Sequence, residues 1–167
     1  MSIFFPQHIA SLCRETAQQV AIEVVAETGS TNADLLSRVD HLAVPTLLIA
    51  ETQTAGKGRA GRSWLSAPSA SLTCSLAWKF QRPVQDLVGL PLVVGVVIAE
   101  VLAQFGIDAT LKWPNDVLKE GKKLAGILLE ARDNGVMVGI GLNVAMNKSE
   151  LPVPIATSLA LENFAEL

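Results

Sequence analysis

Two apolar segments, 123–131 and 136–143, are separated by Asn134-Gly135, and this feature narrows the fold more than any other. Asn-Gly between two apolar runs is a strong signal for a tight antiparallel hairpin. The residues before it repeat the theme. A strand near 109–113 turns at Pro114-Asn115-Asp116 into a short strand at 117–119, and Glu120-Gly121-Lys122 leads into 123–131. Strands joined this closely cannot be parallel neighbours, because a parallel crossover needs a dozen or more residues. The chain is therefore expected to be α+β: a mixed, largely antiparallel sheet flanked by helices.

The remaining elements fit that frame. Residues 6–19 read as an amphipathic helix with Ile9, Leu12, Cys13 and Val20 near one face, and 21–26 as a strand. Ser30 is a good N-cap for a helix over 31–38. Strands are expected at 46–52 and 70–79, on either side of a polar, glycine-rich loop at 53–63. A long helix is expected over about 87–105. Leu87–Ile107 is almost entirely apolar, but its unbroken apolar run ends at Ala99 and contains Gly89, Pro91 and Gly95. A membrane span needs roughly 20 apolar residues, so a buried core helix is the expectation and a membrane partner is not.

At 167 residues, half of them apolar, the chain suits one domain, 1–167, with a substantial core. The net charge of −3 argues against a bare nucleic-acid binder, which would more often be basic. The two cysteines, Cys13 and Cys74, lie far apart in no CxxC pattern. That speaks against a disulfide framework and a zinc site, and for a reducing cytoplasm. The start of the chain carries no basic, then apolar, leader pattern.

Four segments carry groups suited to binding. Gly56-Lys57-Gly58-Arg59-Ala60-Gly61-Arg62 sets backbone N–H groups freed of side-chain bulk beside three cations. This suits a flexible loop closing over a phosphorylated ligand, or equally a solvated basic loop. It lacks the P-loop spacing and precedes no obvious helix. In Lys112-Trp113-Pro114-Asn115-Asp116, Asn and Asp offer the hard oxygens that Mg²⁺ takes; alone, the segment reads as a turn with a packed Trp. Strand alternation puts Lys123, Ala125, Ile127 and Leu129 on one face, with Gly126 mid-strand. Gly139-Ile140-Gly141-Leu142-Asn143 alternates glycines, as a strand does when something lies against it. His8 and His41 are isolated, and no Ser-His-Asp order or HExxH is present. Covalent catalysis by a side chain is not indicated.

Taken together and in this order, Gly29-Ser30-Thr31-Asn32, the stretch from Glu51 to Trp64, Lys112–Asp116, Lys123–Leu128 and Gly139–Asn143 resemble the biotin protein ligase family over about residues 22–160. The resemblance implies the biotin/lipoate ligase fold, which is class II synthetase-like. It also implies a two-step reaction. Biotin and ATP give biotinyl-5′-AMP and pyrophosphate, and a lysine of a biotin carboxyl carrier protein then takes the biotinyl group. ATP with Mg²⁺ and biotin are the implied co-substrates.

By position, the resemblance implies that Ser30, Thr31 and Asn32 hold the ureido ring, with Gln53 nearby. Lys57, Gly58 and Arg59 would sit in a loop around the carboxylate and α-phosphate, and Gly126 and Gly141 would leave room for biotin. Lys123 and Arg59 are the implied catalytic cations. Trp64, Lys112, Asn115, Asp116 and Asn143 are implied on the ATP side, with Asn115 and Asp116 facing Mg²⁺.

The loop departs from the family's Gly-Arg-Gly-Arg-Arg-Gly at Lys57 and Ala60, so retention of the adenylate is expected to differ. The family's SH3-like C-terminal domain and the DNA-binding winged helix of its repressor members are not expected here, and neither is operator binding. A homodimer fits the resemblance. Two alternatives stay open: a module that binds biotin or its adenylate without catalysis, and a lipoate or octanoate ligase-like transferase.

Overall fold

The structure is a computed structural model that describes residues 4–81, 83–151 and 155–162. Its centre is a seven-stranded sheet: β1 (Ala21–Thr28), β2 (Thr46–Gln53), β3 (Ser71–Lys79), β4 (Thr110–Lys112), β5 (Asp116–Lys119), β6 (Lys122–Arg132) and β7 (Gly135–Asn143). The spatial order is β1-β2-β3-β7-β6-β5-β4. β1 and β2 run parallel and every other pair is antiparallel. The mixed, largely antiparallel α+β architecture expected from the hairpin signals is the one observed.

The helices α1 (Pro6–Leu12), α2 (Thr31–Arg38) and α3 (Leu90–Gln104) complete the fold. The 3₁₀ turn that follows α2 extends its packing. Leu35 and Val39 meet Leu48, Ala77 and Met137 on one face of the sheet. On the other face, Leu102 and Ile107 join Val117, Leu124, Ile127 and Val138. Alternation along β7 sorts the two faces: Val136 and Val138 belong to the second cluster and Met137 to the first.

Three local expectations are corrected. The first helix ends at Leu12 instead of reaching 19: Cys13 is already extended and Leu12 is 75% exposed, so no buried stripe carries the helix further. The last hairpin turns on Asp133-Asn134, and Gly135 opens β7 opposite Arg132. Gly135 answers to packing rather than to the turn, since a Cβ there would come within 2.3 Å of Val39 Cγ2.

The third correction concerns α3, which is not buried all round. Gly95 and Leu102 are its buried residues, while Val93 and Val97 are 59% and 52% exposed. By length and composition alone, Gln85–Gln104 would be long and apolar enough to cross a membrane.

Candidate active site

The site lies on the α2 face of the sheet, and its first wall is a helix start. Ser30 caps α2, its hydroxyl accepting from Ala33 N–H at 3.5 Å. Capping fixes the first turn, which aims Thr31 and Asn32 at the sheet. Ser30, Thr31 and Asn32 are all buried. Gln53, at the end of β2, turns its Oε1 to Thr31, accepting from the backbone N–H at 2.8 Å and lying 3.1 Å from the hydroxyl oxygen. Ser75 on β3 lies 2.6 Å from the Thr31 hydroxyl and donates to Asn32 Oδ1 at 2.6 Å.

The second wall is the glycine-rich loop, which folds back on itself. Lys57 and Ser63 form an isolated bridge, Gly58 N–H donates to Arg62 C=O at 2.7 Å, and Trp64 N–H donates to Gly56 C=O at 2.8 Å. This hairpin carries Trp64 onto the sheet. Its indole covers Gly126 and Gly141, which are directly paired across β6 and β7. A Cβ on Gly126 would lie 3.0 Å from Trp64 Cζ3. The indole thus lies over the two glycines at which the resemblance implied room for biotin. Trp64 Nε1 is buried without a hydrogen-bond partner among the described residues. Such a donor costs about 1–3 kcal/mol, and displacement of the indole by a ligand would recover it.

The third wall holds the cations. Lys123 was expected on the face of Ala125 and Ile127, and the structure corrects this. The β5–β6 register shifts between Val117 and Leu118, so Val117 faces Ala125 while Leu118 faces Lys123, and Leu124 is the extra residue of a bulge. One extra residue reverses the alternation behind it. Lys123 therefore points to the face of Gly126, its Nζ 3.3 Å from where that glycine's Cβ would be. It pairs with Asp116 Oδ1 at 2.6 Å and lies 5.7 Å from the Trp64 ring centroid. Arg59 reaches across the loop to Asn115 Oδ1 at 3.5 Å, and Asn115 Nδ2 donates to Ile127 C=O at 2.8 Å.

Twelve of the sequence-derived residues line one space of about 50 Å³: Ser30, Thr31, Asn32, Gln53, Lys57, Gly58, Arg59, Trp64, Asn115, Lys123, Gly126 and Gly141. Lys112, Asp116 and Asn143 line an adjoining cleft of about 260 Å³ that shares Trp64 and Lys123 with the first. Small-molecule sites usually measure about 300–1,000 Å³, so the Trp64 indole stands between these spaces and a full-sized cavity. Asn143 is buried and donates to Thr157 C=O at 2.9 Å. Trp113, read as a packed residue of its turn, is 75% exposed and follows a different course, its bond to Pro114 being cis.

Asn115 and Asp116, expected to face the Mg²⁺ of ATP, each meet a cation of the protein. Asp116 is the one carboxylate of the pair and is engaged by Lys123, while Asn115 Oδ1 faces Arg59. Among the described residues, no group of three or more His, Cys, Asp or Glu side chains could hold a metal ion.

Ser75 lines the site and Glu130 holds Asn32 from beside it; both were missed by the sequence reading. A signal for Ser75 existed: Ser71, Thr73 and Ser75 alternate with Leu72, Cys74 and Leu76, and it is the polar set that is buried. Cys74 lies on the opposite face, and burial pushes its thiol up to about 12.

Residues 22–147 match the family described as biotin/lipoate A/B protein ligase. The chain is 45% identical over 145 residues to the biotin–[acetyl-CoA-carboxylase] ligase of Mycobacterium tuberculosis, covering 83% of this chain and 54% of that one. It is 40% identical over 136 residues to the bifunctional ligase/repressor BirA of Escherichia coli, covering 78% and 42% respectively. Among solved structures, the biotin protein ligase of Aquifex aeolicus in complex with biotin and ATP superposes with a TM-score of 0.72 at 36% identity, covering 83% of this chain and 59% of that one. The chain spans about half the length of the curated relatives it matches.

Proposed function

The chain belongs to the biotin/lipoate A/B protein ligase family, and on that premise we propose that it activates biotin with ATP to biotinyl-5′-AMP and passes the biotinyl group to a lysine of a biotin carboxyl carrier protein. The observation that carries this reading is the single space shared by the amide–hydroxyl set of the buried Thr31 and Asn32 with the half-buried Gln53 and by the cations Lys57, Arg59 and Lys123. A ureido ring offers both N–H donors and a carbonyl acceptor, which such a set can match. The cations suit the other end of biotin, its carboxylate.

In the first step a carboxylate oxygen bonds to the α-phosphorus of ATP as the bond to pyrophosphate breaks. Both reactants are anions. The chain's task is to bring them together and offset their repulsion in a site screened from water, which fixed cations and N–H donors do without any acid or base. Lys123 is held by Asp116 at 2.6 Å, and Arg59 reaches toward Asn115 from the loop. In the second step the lysine amine of the carrier bonds to the acyl carbon and AMP leaves. Mg²⁺ then belongs to the co-substrate, carried on the phosphates of ATP, as is common for this ion.

The alternative of lipoyl or octanoyl transfer through a thioester is not favoured. Cys74 is on the wrong face with a thiol that stays protonated near neutrality. The unpaired cysteines suit a cytoplasmic setting.

Biotin-dependent exchange of pyrophosphate into ATP, with Lys123→Ala as control, tests the proposal. Exchange in the parent and its loss in the variant is the expected result. Biotin binding without exchange would overturn the catalytic reading and leave a binding module.

A further inference from the structure

Glu130 lines the cleft beside the glycine-rich loop and stands at the end of a hydrogen-bonded chain that runs into the site. Asn32 Nδ2 donates to Glu130 Oε2 at 2.8 Å and lies 3.3 Å from Leu128 C=O. Ser75 Oγ donates to Asn32 Oδ1 at 2.6 Å, and Ser75 Oγ and Thr31 Oγ1 are 2.6 Å apart. Thr31, Asn32 and Ser75 are buried, so water does not resupply partners along the chain. Gly139 seals it: a Cβ there would come within 2.6 Å of Asn32 Oδ1, so the amide is pressed flat against β7.

Counting protons fixes the direction. A carboxylate and a backbone carbonyl only accept, so the amide N–H₂ of Asn32 faces Glu130 and Leu128 and its carbonyl faces Ser75. That carbonyl takes the one hydroxyl proton of Ser75. Ser75 then has none for Thr31, and the 2.6 Å contact requires Thr31 to donate its own. The longer approach of Thr31 Oγ1 to Gln53 Oε1, at 3.1 Å, is left without that proton. Thr31 Oγ1 therefore meets the pocket as an acceptor.

We propose that Glu130 is a positioning residue that sets the donor–acceptor sense of the Asn32–Ser75–Thr31 chain, so that the pocket selects a ring bearing a free N–H at the Thr31 position over an isosteric ring bearing an oxygen there. This rests on the biotin reading above and adds to it the residue that enforces ureido recognition from outside the pocket. A ring oxygen facing Thr31 Oγ1 would place two acceptors together. Without Glu130, the Leu128 carbonyl alone holds the amide by its longer contact, Asn32 is free to turn over, and the Thr31 hydroxyl can then donate.

The test is calorimetric binding of biotin and of its two cyclic carbamate analogues, each with one ureido N–H replaced by oxygen. Parent, Glu130→Ala, Glu130→Gln and Ser75→Ala proteins are compared, and the readout is the ratio of biotin to carbamate affinity. The parent should prefer biotin over at least one analogue. Glu130→Ala should lower that preference about tenfold, the worth of one neutral hydrogen bond. Glu130→Gln, whose carbonyl can still accept from Asn32, should restore it. Ser75→Ala cuts the chain midway, should lose the preference likewise, and serves if Glu130→Ala does not fold. A general loss of packing would weaken both ligands together and leave the ratio in place. A variant lacking Glu130 or Ser75 that binds biotin with the parental ratio overturns the proposal. A parent that binds no biotin overturns the functional reading itself.

Discussion

A Cβ on residue 141 would lie 2.2 Å from Cε2 of Trp64, so the indole fills the space that Gly141 leaves on the floor of the site. Gly141→Ala should therefore expel the ring. Overpacking of this kind costs about 1–3 kcal/mol, and the expelled indole should emit at longer wavelength. Thermal melts and tryptophan emission check both effects, with Trp64→Phe identifying the fluorophore against Trp78 and Trp113. An alanine variant with parental melting and emission would show that the ring does not depend on the glycine.

Lys123 and Asp116 are 2.6 Å apart on the face where the cations gather. Lys123→Ala should slow biotin-dependent pyrophosphate exchange by about 10²–10³-fold, the usual cost of one fixed donor to developing negative charge. Asp116→Asn keeps the shape but frees the ammonium from its partner, and it should lose less. Steady-state exchange rates order the three proteins; Asp116→Asn falling below Lys123→Ala would contradict the assignment of Lys123 as the principal cation.

Ala60 sits at φ 55, ψ 40 in the turn of the glycine-rich loop. Proline is locked near φ −65° and cannot take that conformation, whereas glycine takes it freely. Ala60→Pro should disrupt the Gly58–Arg62 turn and speed the escape of biotinyl-AMP, while Ala60→Gly should release it no faster than the parent. Release from a preformed complex, followed by filter binding, reads this. Equal release from the proline and glycine variants would detach the loop conformation from adenylate retention.

Cys74 is a half-buried residue whose thiol pKa is pushed up to about 12 by desolvation. The thiolate is the reactive form, and at pH 8 it is four powers of ten below the thiol on that value. Iodoacetamide at pH 8 should modify Cys74 only after denaturation, and the native rate should climb as pH is raised. Mass mapping of the alkylated chain checks this, and rapid native labelling of Cys74 would reopen the thioester alternative.

The order of strands along the chain, the hairpins and the Ser30 cap were legible in the sequence, because turns, caps and alternation are local and leave their marks within a few residues; the list of site residues came from the resemblance to a family, and the structure brings twelve of them around one space. The side of the sheet on which Lys123 acts was not. It depends on a bulge at Leu124 that appears only when β6 is laid against β5. The ring over Gly126 and Gly141 was equally hidden, since the glycines announce a close approach without naming what approaches. The exposure of α3 depends on how little of the helix the sheet covers. Glu130 is 98 residues from the Asn32 it holds. Short-range physics thus chose the elements, and long-range register decided which face each group serves and which partner fixes it.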